Sequence, residues 1–139
     1  MPNGWKGRLE AIEGIGPDYA EELRKNGVGS VQALLKQGRT KDGRREMAKV
    51  TGLPEKRILE WVNRADLIRV KGVGEQYSDL LEQSGVDTVV ELAQRNPRKL
   101  YVSLTETNAR CHLVHKLPTE TQVQGWVKYA KSLKRMVEY

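Results

Sequence analysis

The sequence predicts an all-α fold made of two similar halves, and three observations carry that prediction. The segment Leu9–Leu34 recurs as Leu67–Leu92, with identities at Leu9/Leu67, Gly14/Gly72, Gly16/Gly74, Tyr19/Tyr77, Leu23/Leu81, Gly27/Gly85, Val28/Val86, Val31/Val89 and Leu34/Leu92. These are glycines and apolar positions, the ones a backbone depends on, while the charges between them vary freely. Helix-start and helix-stop residues punctuate the whole chain. No segment alternates with period two beyond the short run Val86–Val90, and the capping residue Thr88 inside it argues for helix.

Each element follows in order. Pro17 suits a first helical position, where its missing N–H costs nothing, and Tyr19, Ala20 and Leu23 continue to a glycine stop at Gly27. Ser30 caps a second helix that carries Val31, Leu34 and Leu35 on one face. A middle helical region leads to Pro54, which opens a helix with Ile58, Trp61, Val62 and Ala65 on one stripe. After the repeat returns, Thr88 with Glu91 reads as a capping box, and Asn96-Pro97 starts a helix that turns Leu100, Tyr101 and Leu104 inward. Thr119 with Gln122 is a second box, followed by a stripe of Val123, Trp126, Val127, Ala130, Leu133 and Val137. Leu53-Pro54 before Trp61-Val62 resembles Leu117-Pro118 before Trp126-Val127, so the repeat extends to these last helices.

The expected organisation is therefore a tail over residues 1–8, a first helical repeat over 9–66 and a second over 67–139. No Ser/Gly- or Pro-rich linker lies near Ala65–Leu67, so the halves are expected to pack as one body about a pseudo-two-fold axis. With no Phe among 139 residues, Leu, Val, Tyr and Trp must fill the core. Cys111 is the lone cysteine, which excludes an internal disulfide and suits a reducing, cytoplasmic setting. No apolar run approaches the ~20 residues of a membrane span, and the Trp5-bearing start lacks a signal-peptide core.

Two turns carry the chemistry: Gly14-Ile15-Gly16 and Gly72-Val73-Gly74, each followed by a small residue (Ala20, Ser78) and a leucine (Leu23, Leu81). Glycine admits the positive φ that so tight a reversal demands. The turn also leaves amides unpaired at a helix N-terminus, a ready anion site. The pattern resembles the helix-hairpin-helix motif, and that resemblance implies sequence-independent binding of a duplex DNA phosphate. Over most of its length the chain resembles domain-of-unknown-function family 4332, through IEGIG at Ile12–Gly16, the run Ile58–Pro97, and LP followed by WVKYAKSL near the end. This resemblance implies tandem helix-hairpin-helix repeats in a SAM-like helical fold, and no particular activity.

Charge divides the two turns. The chain holds 24 Lys or Arg against 18 Asp or Glu, a net charge of +6, yet the first copy sets Glu10, Glu13, Asp18, Glu21 and Glu22 against Arg24 alone. The second copy places Arg69 and Lys71 ahead of its turn. The segment 36–57 is strongly basic, with Arg44-Arg45 its sharpest pair for forking onto phosphate. Lys128, Lys131, Lys134 and Arg135 recur along the last helix.

The expected nucleic-acid contacts are Gly72, Val73, Gly74, Arg69, Lys71, Gly14, Ile15, Gly16, Arg44 and Arg45. Duplex DNA is favoured over RNA, and a protein–protein adaptor is the alternative. Cys111, His112 and His115 are too few for a closed zinc site, so no metal or other cofactor is expected. No nucleophile stands beside an oriented base, so no catalysis and no small-molecule substrate are expected. Trp61 and Trp126, equivalent in the repeat, read as core anchors.

Overall fold

The computed structural model describes residues 7–139. Trp5 and most of the expected tail lie outside them. The described residues form a short 3-10 turn at Leu9–Ala11 and eight α-helices, with no strand: α1 (Pro17–Lys25), α2 (Val31–Gly38), α3 (Lys41–Thr51), α4 (Glu55–Ile68), α5 (Glu75–Gln83), α6 (Val89–Gln94), α7 (Pro97–Cys111) and α8 (Glu120–Ser132). None of the helices is long and apolar enough to cross a membrane.

The helix ends follow the residues that announce them. Ser30, Thr40, Thr88, Asn96 and Thr119 each accept an amide of the first turn behind them. Thr119 and Gln122 close a reciprocal box. The expected box at Thr88 is only half made: the Glu91 carboxylate accepts from the amide of Asp87 rather than from the cap. At the ends of α1 and α5 the two copies coincide. Gly27 and Gly85 take φ of 86° and 92°. The amides of Val28 and Val86 return 2.9 Å to the carbonyls of Leu23 and Leu81, and those of Gly27 and Gly85 to Arg24 and Glu82. Both ends are Schellman caps, with an apolar residue after the glycine to seal them.

Two apolar clusters form the interior. The first gathers Leu9, Leu23, Leu34, Leu35, Met47, Ile58, Trp61 and Val62. The second gathers Leu67, Val70, Leu80, Leu81, Leu92, Leu104, Val123, Trp126 and Val127. The division expected between residues 66 and 67 falls inside the continuous helix α4. Its Ile58, Trp61, Val62, Ala65 and Ile68 point into the first cluster and Leu67 into the second.

The last helix ends sooner than its apolar period suggests. Leu133 turns to extended backbone (φ −92°, ψ 144°), and residues 133–139 run on without regular structure. Val137 is buried, but in the first cluster, apart from the stripe it was expected to continue. We call this segment the strap.

Candidate functional site

The site is built at two turns of matching geometry. Gly14 and Gly72 have φ of 96° and 91°, a region closed to most side chains. A Cβ on either would also stand 3.2 Å or 3.0 Å from the indole nitrogen of Trp61 or Trp126. Each indole meets the tyrosine of its copy, Tyr19–Trp61 at 5.3 Å and Tyr77–Trp126 at 5.2 Å, with interplanar angles of 52° and 49°. Both tryptophans are almost wholly buried, so they anchor the turns and are closed to bases. Ile15 and Val73 tuck inside, while Gly16 and Gly74 become the exposed N-caps of α1 and α5.

Among the described residues, the amides of Gly74, Glu75, Gln76 and Tyr77 meet no acceptor, and the first bond behind them runs from Ser78 to the Gly74 carbonyl. They face an open depression of about 410 Å³ lined by Gly72, Gly74, Glu75, Gln76 and Tyr77. In the first copy Pro17 removes one such amide, because it occupies the first helical position.

Arg64 of α4 sets the electrostatics between the turns. Its guanidinium donates to the backbone carbonyl of Glu13, pairs with Glu82, and lies 3.4 Å from Asp79. One arginine thus fastens the first turn to α5 and neutralises two carboxylates behind the second turn. Burial still pushes the Asp79 carboxyl up, with Arg64 opposing it and Glu13 adding to it. Glu10 is paired with Arg24 at 2.7 Å, and that hydrogen bond is the chief reason its carboxyl falls to about 2. A cleft of about 280 Å³ lined by Glu10, Glu13, Glu75, Gln76 and Asp79 separates the turns. A polyanion laid across both would meet this acidic wall.

The structure keeps some expected contacts and withdraws others. Lys71 is exposed beside the second turn, and Gly72 and Gly74 are exposed with it. Arg69 is not available: it is buried, donates to Asp66 at 2.7 Å, and donates again to the carbonyl of Lys134. Arg44 is likewise buried, with its guanidinium on the carbonyls of Gly38 at 2.9 Å and Glu138 at 2.7 Å. The expectation that these two arginines meet a phosphate is therefore corrected, because their N–H groups hold the fold together. Arg45 remains exposed, only loosely placed against Asp42 and Glu55. It sits in α3. Of the basic run on the last helix, Lys128 and Lys131 lie on α8, whereas Lys134 and Arg135 belong to the strap.

Sequence reasoning missed Arg64, whose signal was faint: a cation following a tryptophan at a helical spacing. It also missed Asp66, which accepts from Arg69 and from the Val89 amide at 2.9 Å. Burial is the main reason its carboxyl is raised, against the opposing pull of Arg69. Cys111 is exposed at the end of α7, followed by His112 in the left-handed conformation at φ 52°. Among the described residues no group of three or more His, Cys, Asp or Glu is placed to hold a metal ion.

The fold and the paired turns define an all-helical protein whose backbone-critical positions recur along the chain. It belongs to the family described as Domain of unknown function (DUF4332), whose model matches residues 13–133. No curated protein and no solved structure matches the chain.

Proposed function

We propose that the chain is a tandem helix-hairpin-helix module, its copies related by a pseudo-two-fold axis, that grips the phosphate backbone of nucleic acid without reading bases and without catalysis. Duplex DNA is its preferred partner. The observation that carries this reading is the open N-terminus of α5, with four unbonded amides beside the exposed Lys71. Such a terminus favours an oxyanion through its N–H groups and through the helix dipole. Arg64 supports the reading by offsetting Asp79 and Glu82, which would otherwise repel the same anion. The first turn has Asp18 and Glu21 exposed near its helix start, and in this reading it serves as a packing corner.

Anisotropy of a labelled duplex at low salt tests the proposal. Binding should weaken by about tenfold or more between about 50 mM and about 200 mM salt. Lys71→Glu should weaken it by about tenfold at the lower salt. Absence of binding to duplex and single strand at low salt overturns it.

The acidic cleft between the turns favours a second reading, an adaptor that receives a basic protein segment. Stoichiometric co-purification of a basic protein that survives nuclease treatment and is lost on Glu13→Lys would support that reading over the first.

A further inference from the structure

The strap is held in a way that any extended chain could imitate. Arg69, at the end of α4, donates to the carbonyl of Lys134 at 2.7 Å, and Arg44 donates to that of Glu138 at 2.7 Å. The Glu138 amide donates in turn to the carbonyl of Arg39, also at 2.7 Å. All three bonds engage the strap's main chain. One side chain is fully inserted, Val137, which is 2% exposed; Leu133 and Met136 pack part-buried against the second and first clusters, and Lys134, Arg135, Glu138 and Tyr139 stay exposed. Main-chain bonds for affinity and a single pocket for selectivity are how proteins hold extended peptides.

Beside the strap lies a cavity of about 110 Å³ lined by Asp66, Glu91, Arg135, Val137 and Tyr139, among others. Among the described residues, the only cation on that lining is contributed by the strap, and the carboxylates by the body. Although Tyr139 as a whole is exposed, its hydroxyl lies against the body, donating to Asn63 Oδ1 at 2.9 Å; partial burial there above all, and then Glu91, Asp66 and Asp87, push it up to about 12 against the opposing Arg44.

We propose that the groove framed by Arg44 and Arg69 is a peptide-binding site, closed in cis by residues 133–139, and that it takes an extended segment bearing an aliphatic residue two positions after a basic one. The two arginines come from α3 in the first half and from the end of α4 at the junction, so occupancy ties the halves together. The strap is held by those three main-chain bonds, the Tyr139–Asn63 side-chain bond and a single fully buried side chain, so we infer that it opens before the packed helices do. A peptide arriving in trans competes with an occupant of high effective concentration. This site is independent of the nucleic-acid reading, because it shares neither Lys71 nor the Gly72–Gly74 turn.

Two measurements on the full chain test it. In native-state hydrogen exchange, the Glu138 amide should exchange at least ~tenfold faster than amides in the middle of α8, by an opening that exposes little surface. Exchange of both only through global unfolding overturns the proposal. In the second, a fluorescent peptide with the sequence of residues 133–139 is titrated into the full chain carrying Val137→Asp, which empties the pocket. It should bind at least ~tenfold more tightly than to the unaltered chain, and the same substitution in the peptide should abolish binding. Equal affinity for both chains, or no binding to either, overturns the proposal. Should circular dichroism show that Val137→Asp does not fold, Glu138→Pro takes its place, since it removes the bond to Arg39 and puts no charge in the core.

Discussion

Gly43 and Gly125 show how differently two helical glycines can be used. A Cβ on Gly43 would stand 2.0 Å from the carbonyl oxygen of Gln37, where α3 starts against the end of α2, whereas one on Gly125 would meet nothing within 4 Å. Gly43→Ala should therefore destabilise by about 1–3 kcal/mol. Gly125→Ala should stabilise by about 1 kcal/mol, because only the backbone entropy term remains. Urea unfolding of the two variants checks both signs.

Glu10 gives the residue scale a pH dependence. Its carboxyl falls from 4.5 to about 2, first through the Arg24 hydrogen bond, so the folded chain binds this proton less readily than the unfolded one. Its stabilising share is present above pH 4.5 and is lost as the pH falls toward about 2. Glu10→Gln should flatten the acid side of the melting profile across that interval. Asp66 has the opposite sign: burial raises its carboxyl, so its share is present at low pH and wanes as the pH rises. The comparison must therefore be made between wild type and variant.

The roles of Arg44 and Arg69 were not legible in the sequence. A basic residue near a turn reads the same whether its partner is a phosphate or a distant carbonyl, and one of the two Arg44 acceptors lies 94 positions away.

At the scale of elements, what could be read was local. Caps act within three or four residues, so Ser30, Asn96 and Thr119 announced α2, α7 and α8 from neighbours alone. Thr119→Ala should cost about 1 kcal/mol, read from thermal melts by circular dichroism. The end of α8 could not be read in this way, because the apolar period continues through Leu133 and Val137. The helix gives way after Ser132, where a carbonyl of the strap meets Arg69 and Val137 meets the first cluster, both fixed by tertiary structure. The same limit explains Glu91, whose carboxylate passed over the cap to the amide of Asp87.

At the scale of the molecule, the repeat was visible as residues, and its geometric counterpart recurs in the caps, the positive-φ glycines and the Tyr–Trp pairs. What spacing concealed was that α4 serves both interiors. Leu67→Ala should cost about 2–5 kcal/mol, although Leu67 lies directly at the expected division. Unfolding should be a single transition, with far-ultraviolet and near-ultraviolet circular dichroism coincident. Two separated midpoints would show that the halves melt apart. A helix embedded in two interiors also acts as a strut: neither half can pivot without tearing packed side chains from the other. Points on the surfaces of the two halves are therefore held at a set separation and orientation by the packing of one helix.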